Sequence, residues 1–199
     1  DVYKRQALNR LLDGNKRFTE QMQVERDLRT QVSATAKGQF PFAAILSCID
    51  SRVSAELIFD QGIGDIFSAR IAGNFVNDDI LGSMEFACKL AGTKLIVVLG
   101  HTSCGAIKGA CDDAKLGKLT GMLEKIKPAV RAVKDPQDKS VRNSSNIGFV
   151  NDVAIKNVHF TVDAILKESN VLKEMHESKE LKIVGAMYDI NDGSVEFFK

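Results

Sequence analysis

KLIVVLG, residues 94 to 100, is apolar almost from end to end and β-branched at Ile96, Val97 and Val98. Such a run has no side to give to water. It fits a strand covered on both faces, the setting of a parallel sheet between helices. AAILSC (43 to 48) is a second run of this kind, and DIFSARIA (65 to 72) and LKIVGAMYDI (181 to 190) are further strand candidates. Helix signals fall between them. SAELIFDQ (54 to 61) has Ser54 as its cap. DDILGSMEFACKLAG (78 to 92) opens on Asp78 and Asp79 and stops at Gly92. CGAIKGACDDAK (104 to 115) returns to helix, and residues 119 to 134 and 144 to 178 read as mostly helical, with Val158, Val162, Ile165 and Leu166 on one face. The alternation predicts an α/β fold with a central, mainly parallel sheet of four strands, flanked by helices. NDG (191 to 193) is a turn signal, so SVEFF is expected as a C-terminal edge strand in a hairpin.

At the front, Ala7, Leu8, Leu11, Leu12 and Phe18 mark the apolar face of a helix, and a polar stretch follows near 26 to 31. Residues 1 to 30 are therefore expected to form a helical arm. DPQDKSVRNSS (135 to 145) is the most linker-like piece but too short to divide the chain, so residues 1 to 199 are read as one domain. Lys plus Arg number 27 against 26 for Asp plus Glu, with no block of either sign. That balance argues against nucleic acid or a membrane surface as partner. No apolar run approaches the roughly 18 residues of a membrane span. The chain opens on Asp1 rather than Met, so its natural start is expected upstream, and a removed signal peptide is left open. A soluble protein of cytoplasm or periplasm is expected, with the compartment undetermined.

The chemistry-bearing residues stand at strand ends. Cys48 ends the first predicted strand, in SCIDSR (47 to 52), together with Asp50 and Arg52. His101 follows the third strand, in GHTSCG (100 to 105), with Cys104. Open α/β sheets build their sites at the carboxyl ends of strands. Cys104 opens a helix, whose N-terminal field favours the thiolate. Two thiolates and an imidazole suit zinc, which prefers four tetrahedral ligands. Water in the fourth position makes a catalytic site, and Asp50 there makes a closed one. Arg52 can hold Asp50 off the metal by a charge-assisted bond. Singly, each residue has a plainer reading, as a core cysteine or a structural ion pair. Their joint occurrence at two strand ends favours the metal. Cys88 and Cys111, inside predicted helices, read as structural thiols, His159 as a structural histidine and His176 as a residue on a solvated face. The spacing of the cysteines does not suggest a disulfide framework.

The pattern resembles the β-class carbonic anhydrases. C-I-D-S-R at 48 to 52, R-I-A-G-N at 70 to 74 and G-H-T-S-C-G at 100 to 105 carry the resemblance, with ALNRLLDGNKRF and VGAMYDINDG near the two ends. It covers nearly the whole chain. It implies reversible hydration of carbon dioxide to bicarbonate and a proton by a zinc-bound hydroxide. Cys48, His101 and Cys104 match the zinc ligands, and Asp50 and Arg52 the catalytic pair, with Asp50 as fourth ligand in a closed state. Gln39, Phe67, Ala72, Phe86 and Gly105 match substrate-pocket positions; Ala72 stands where Val is frequent and Phe86 where some members have Tyr. One subgroup binds inhibitory bicarbonate with a Trp three residues before the first Cys. Here that position is Ile45, and although Arg70 and Tyr188 are present the chain has no Trp, so the resemblance implies no such regulation. It also implies at least a homodimer with the N-terminal arm packed on its partner, or dimers paired into a tetramer. Two thiolates should make zinc a weaker acid than three imidazoles would, so activity should rise towards alkaline pH. The alternatives are a hydrolase of carbon disulfide or carbonyl sulfide on the same scaffold, a purely structural zinc protein, and thiol redox sensing by Cys48 and Cys104. The absence of C-x-x-C disfavours the last.

Overall fold

The computed structural model describes residues 2–198. Five strands form one sheet in the order β2-β1-β3-β4-β5, with β1 at Ala43–Ser47, β2 at Ile66–Arg70, β3 at Leu95–His101, β4 at Lys182–Tyr188 and β5 at Val195–Phe197. The first four are parallel, and β5 returns antiparallel beside β4. This is the sheet expected from the sequence. Every residue of β1 and β3 is buried, which is why both read as unbroken apolar runs. β2 lies at an edge, and its Ser68 and Arg70 reach solvent.

Successive strand residues point to opposite faces, so the sheet has a core on each side. Ala44, Leu46, Ile96 and Val98 face a layer that includes Met84, Ile107, Phe149 and Val153. These come from α4 (Asp78–Glu85), α5 (Gly105–Cys111) and α8 (Ile147–Glu168). Ile45, Val97 and Leu99 face Ala7, Leu11, Ile58 and Phe59, which belong to α1 (Val2–Thr19), α3 (Ala55–Ile58) and the residue after it. The remaining helices are α2 (Leu28–Thr35), α6 (Gly117–Glu124), α7 (Lys127–Ala132) and α9 (Asn170–Glu177). Among the described residues, no helix is long and apolar enough to cross a membrane.

Local chemistry explains the boundaries. Asn77 caps α4 by accepting the Ile80 N–H, and Asp78 and Asp79 fill the first turn as expected. The helix then widens into a π stretch, Phe86–Leu90, and ends at Gly92, whose φ is +83°. Ser54 stands at the start of α3 but makes no side-chain cap bond. The linker-like stretch is tied down, because Arg142 donates to the carbonyls of Val130, Val133, Lys134 and Pro136.

Helix α1 docks on its own chain. The Asn15 side-chain N–H group donates to the carbonyls of Ile58 and Gly193, and its oxygen accepts the Val195 N–H. Gly14 lies so close that a Cβ there would stand 1.8 Å from the Phe59 carbonyl oxygen. Leu12, read as part of the apolar face, is 42% exposed, since that face turns towards Ala7 and Leu11.

Candidate metal centre

The chain passes from β1 to β2 on one side, then crosses to β3 on the other. That reversal opens a crevice at the carboxyl ends of β1 and β3, where open α/β sheets bind ligands. Cys48 follows β1 directly, His101 is the last residue of β3, and Cys104 stands at the N-terminus of α5. The ligand atoms of these three buried residues lie within 4.8 Å of one another.

The donors are arranged for a cation. The Cys48 and Cys104 sulfurs are 3.9 Å apart, against roughly 3.8 Å for two thiolates sharing one tetrahedral zinc. His101 Nδ1 lies 2.9 Å from the Thr102 carbonyl oxygen, which assigns the proton to Nδ1. Its Nε2 is buried without a hydrogen-bond partner and is left as a lone pair aimed into the cluster. The Cys48 thiol is pushed down, first by its hydrogen bond with Cys104 and then by the N–H groups of Gly73 and Asp50, against the effect of burial. The Cys104 thiol is pushed up by Cys48 and by burial. Two such sulfurs ionise together only when a positive charge lies between them.

Asp50 is beside the cluster but turned to Arg52. Its Oδ1 accepts Arg52 Nε at 2.9 Å and the Arg52 backbone N–H at 3.0 Å, and its Oδ2 accepts Nη2 at 2.8 Å. Arg52 thereby holds the Asp50 carboxyl well below the usual carboxylate range. Asp50 Oδ2 is 3.9 Å from His101 Nε2. Arg70 braces the same loop, donating to the carbonyls of Cys48 and Asp50 at 2.9 and 2.7 Å.

Of the expected pocket residues, Ala72 and Gly105 join Cys48 and Asp50 around a cavity of about 230 Å³. Leu119, Met122 and Leu123 of α6 close it; the sequence reading omitted them because nothing local links α6 to the motifs. Gln39, Phe67 and Phe86 do not join it within one chain. Pro41, two residues after Gln39, bonds through its carbonyl to Thr93 at the amino end of the sheet, opposite the cluster. Phe67 pairs with Ala44, so it sits about 13 Å down the sheet from Cys48 at some 3.3 Å per residue. It meets Phe86 edge-on at 6.1 Å in a separate groove beside β2. Cys88 and Cys111 stay outside the cluster, and burial pushes their thiols up to about 12 and about 11. His159 stacks on Phe198 at 4.7 Å.

The carbonic anhydrase family model matches residues 43–195. The chain belongs to the β-carbonic anhydrases. It is 35% identical over 193 residues to carbonic anhydrase 2 of Mycobacterium tuberculosis, covering 94% of this chain and 89% of that one. It superimposes on the β-carbonic anhydrase CafA of Aspergillus fumigatus with a TM-score of 0.75 at 25% identity, over 86% of this chain and 81% of CafA. For the β-carbonic anhydrase CcaA the TM-score is 0.74 at 27% identity, over 96% and 95% of the two chains. Within this family fold, the sequence reading missed the groups that brace the Cys48–His101–Cys104 cluster. Gly73 N–H donates to Cys48 Sγ at 3.4 Å. Asn151 accepts the N–H of Ser103, a left-handed residue between His101 and Cys104. Asp189 accepts the Thr102 hydroxyl. Their partners are distant in sequence, so no local pattern reveals them.

Proposed function

We propose that this chain catalyses the reversible hydration of carbon dioxide to bicarbonate and a proton, with Cys48, His101 and Cys104 holding zinc. One observation carries the reading. Two sulfurs and an unpartnered imidazole nitrogen converge beside a carboxylate that arginine holds ionised. A bound zinc ion supplies Lewis acidity, which lets water act as a nucleophile at moderate pH. The residues do the rest. Thr102 fixes the His101 ring so that Nε2 faces the metal. Asp50, which while ionised can only accept, takes a hydrogen bond from the incoming nucleophile and turns that nucleophile's lone pair to the substrate carbon. Arg52 occupies both Asp50 oxygens and so keeps that carboxylate from becoming a fourth ligand. The cavity behind Ala72 and Gly105 offers mostly apolar walls to a small uncharged molecule.

Gln39, Phe67 and Phe86 lie too far from their own cluster to touch substrate there. They can serve a pocket only across an interface between copies of this chain, which supports a homodimer, alone or paired into a tetramer. Light scattering on the purified chain tests this; a monomer that turns over at full rate would remove these three residues from the site.

The deciding experiment is stopped-flow hydration at about pH 8.5 on zinc-loaded and chelator-stripped protein. Fast hydration that needs zinc is expected. Full zinc occupancy with no hydration would reject the reading, and assays with carbonyl sulfide and carbon disulfide would then separate a related hydrolase from a structural zinc protein.

A further inference from the structure

The turn after β2 touches the first metal ligand through its backbone. Gly73 donates its N–H to Cys48 Sγ at 3.4 Å. It does so from a φ of +81°, where a Cβ would lie 2.5 Å from Ile126 Cδ1. Asn74 beside it is also left-handed, at φ +41°. A glycine turn of this kind has many alternative conformations, so something must hold it in this one. The side chain that does so comes from 84 residues further along the chain. Asn157, in the middle of α8, donates Nδ2 to the Gly73 carbonyl at 2.7 Å. Asn157 is 3% exposed and lies among Val153, Ala154 and Val158, where a leucine would suit the helix face. Burying a carboxamide there is costly unless it is hydrogen-bonded, and its bond goes to this turn.

We propose that Asn157 is a positioning residue for Cys48, holding the Gly73 turn so that its N–H stays bonded to the metal-ligating sulfur. The inference rests on the metal-binding reading above. An N–H bond draws charge from a thiolate, so the sulfur gives less charge to the metal and the metal remains a better acid. That matters most in a site with two thiolates. Asn157 touches neither metal nor substrate and acts through Gly73.

The test uses the full chain loaded with cobalt(II), read by the sulfur-to-cobalt charge-transfer band, and zinc affinity measured by chelator competition. Asn157→Leu removes the donor. Its band should move to lower energy, because the sulfur is more electron-rich, and zinc affinity should fall about tenfold, because the freed turn no longer holds Cys48 in place for the metal. Asn157→Asp keeps the shape but puts an acceptor opposite the carbonyl, and should behave alike; it is the variant to read if the leucine protein does not fold. Thr161→Val, one turn further along α8 and equally buried, is the control and should leave both readouts unmoved. Unchanged band and affinity in the Asn157 variants would overturn the proposal, as would an equal change in Thr161→Val. Failure of both Asn157 variants to fold would also overturn it, since the residue would then hold the fold rather than the sulfur. Wild-type protein that takes up no cobalt would sink the metal reading itself, a distinct result.

Discussion

Asp50 and Asp60 each present a carboxylate to arginine, but the donors come from very different distances along the chain. Asp60 is left-handed at φ +46°, just past α3, and its side chain is 3% exposed. Its carboxylate accepts Arg17 Nε at 2.5 Å, the Val24 N–H at 3.2 Å and Arg26 Nη1. Its carbonyl takes Arg26 Nη2. These donors are 34 to 43 residues away, so Asp60 fastens α1 and the segment after it to the turn beyond α3. The Asp50 donors all come from Arg52, two positions on. Those bonds close a small local ring and join no distant parts. What they fix is the direction of a carboxylate whose Oδ2 looks towards His101. The residue types are the same in both places. Sequence separation and burial make one pair an anchor of the fold and leave the other free for chemistry.

Substitution should separate the two roles. Asp50→Ala is expected to lower kcat/KM for hydration by at least about 100-fold. Its urea-unfolding free energy should stay within about 0.5 kcal/mol of wild type, since only a local contact is lost. Asp60→Ala should reverse the pattern. Removing it strands two guanidinium groups, and the cost should be about 3 kcal/mol, the low end for a broken buried pair because Arg17 is partly exposed. Turnover per folded molecule should be retained. If Asp60→Ala lost turnover while keeping its stability, the division between anchor and site would fail.

Arg52→Lys sharpens the same contrast more gently. Lysine keeps the charge but cannot make two parallel bonds to one carboxylate. The loss of one charge-assisted bond should slow hydration by roughly tenfold, without moving the unfolding midpoint. A drop as deep as that of Asp50→Ala would mean that Arg52 does more than aim the carboxylate.

The contrast also explains what the sequence could reveal. β1 and β3 were legible because strands covered on both faces leave continuous apolar runs. Cys48, His101 and Cys104 were legible because soft ligands at adjacent strand ends are hard to explain otherwise. Asp50 and Arg52 lie two residues apart, so their pairing was visible too. Asp60, in IFDQG, gave no such sign, because a single aspartate after a short helix says nothing about partners in α1. Asn157 was hidden for the same reason. Gln39 and Phe67 teach a different lesson. Their identities fit a pocket, but Gln39 before β1 and Phe67 early in β2 stand away from the carboxyl ends of their own strands, and a single sequence does not say which copy of the chain a residue serves.

Acid unfolding offers the smallest but sharpest comparison. Burial pushes the Asp60 carboxyl up, but Arg17, Arg26 and the Val24 N–H outweigh it and hold it below 3.8. A carboxyl lowered in the folded state adds stability that is fully present above its unfolded pKa, and this is lost as pH falls through the folded value. The Asp60 contribution should therefore fade as pH drops below 3.8, and Asp60→Asn should flatten the fall of the unfolding midpoint in that range. Asp50 is lowered as well, by Arg52, which by the same linkage would predict a similar effect for Asp50→Asn. Two facts oppose it. Arg52 is two residues away, so the unfolded chain can form much of the same pair, and the difference between the states shrinks. Arg52 is also half exposed, where solvent screens the charge. Asp50→Asn should thus change the acid slope less than Asp60→Asn. Equal slopes would show that the local pair is confined to the folded state, and that Asp50 stabilises the molecule after all.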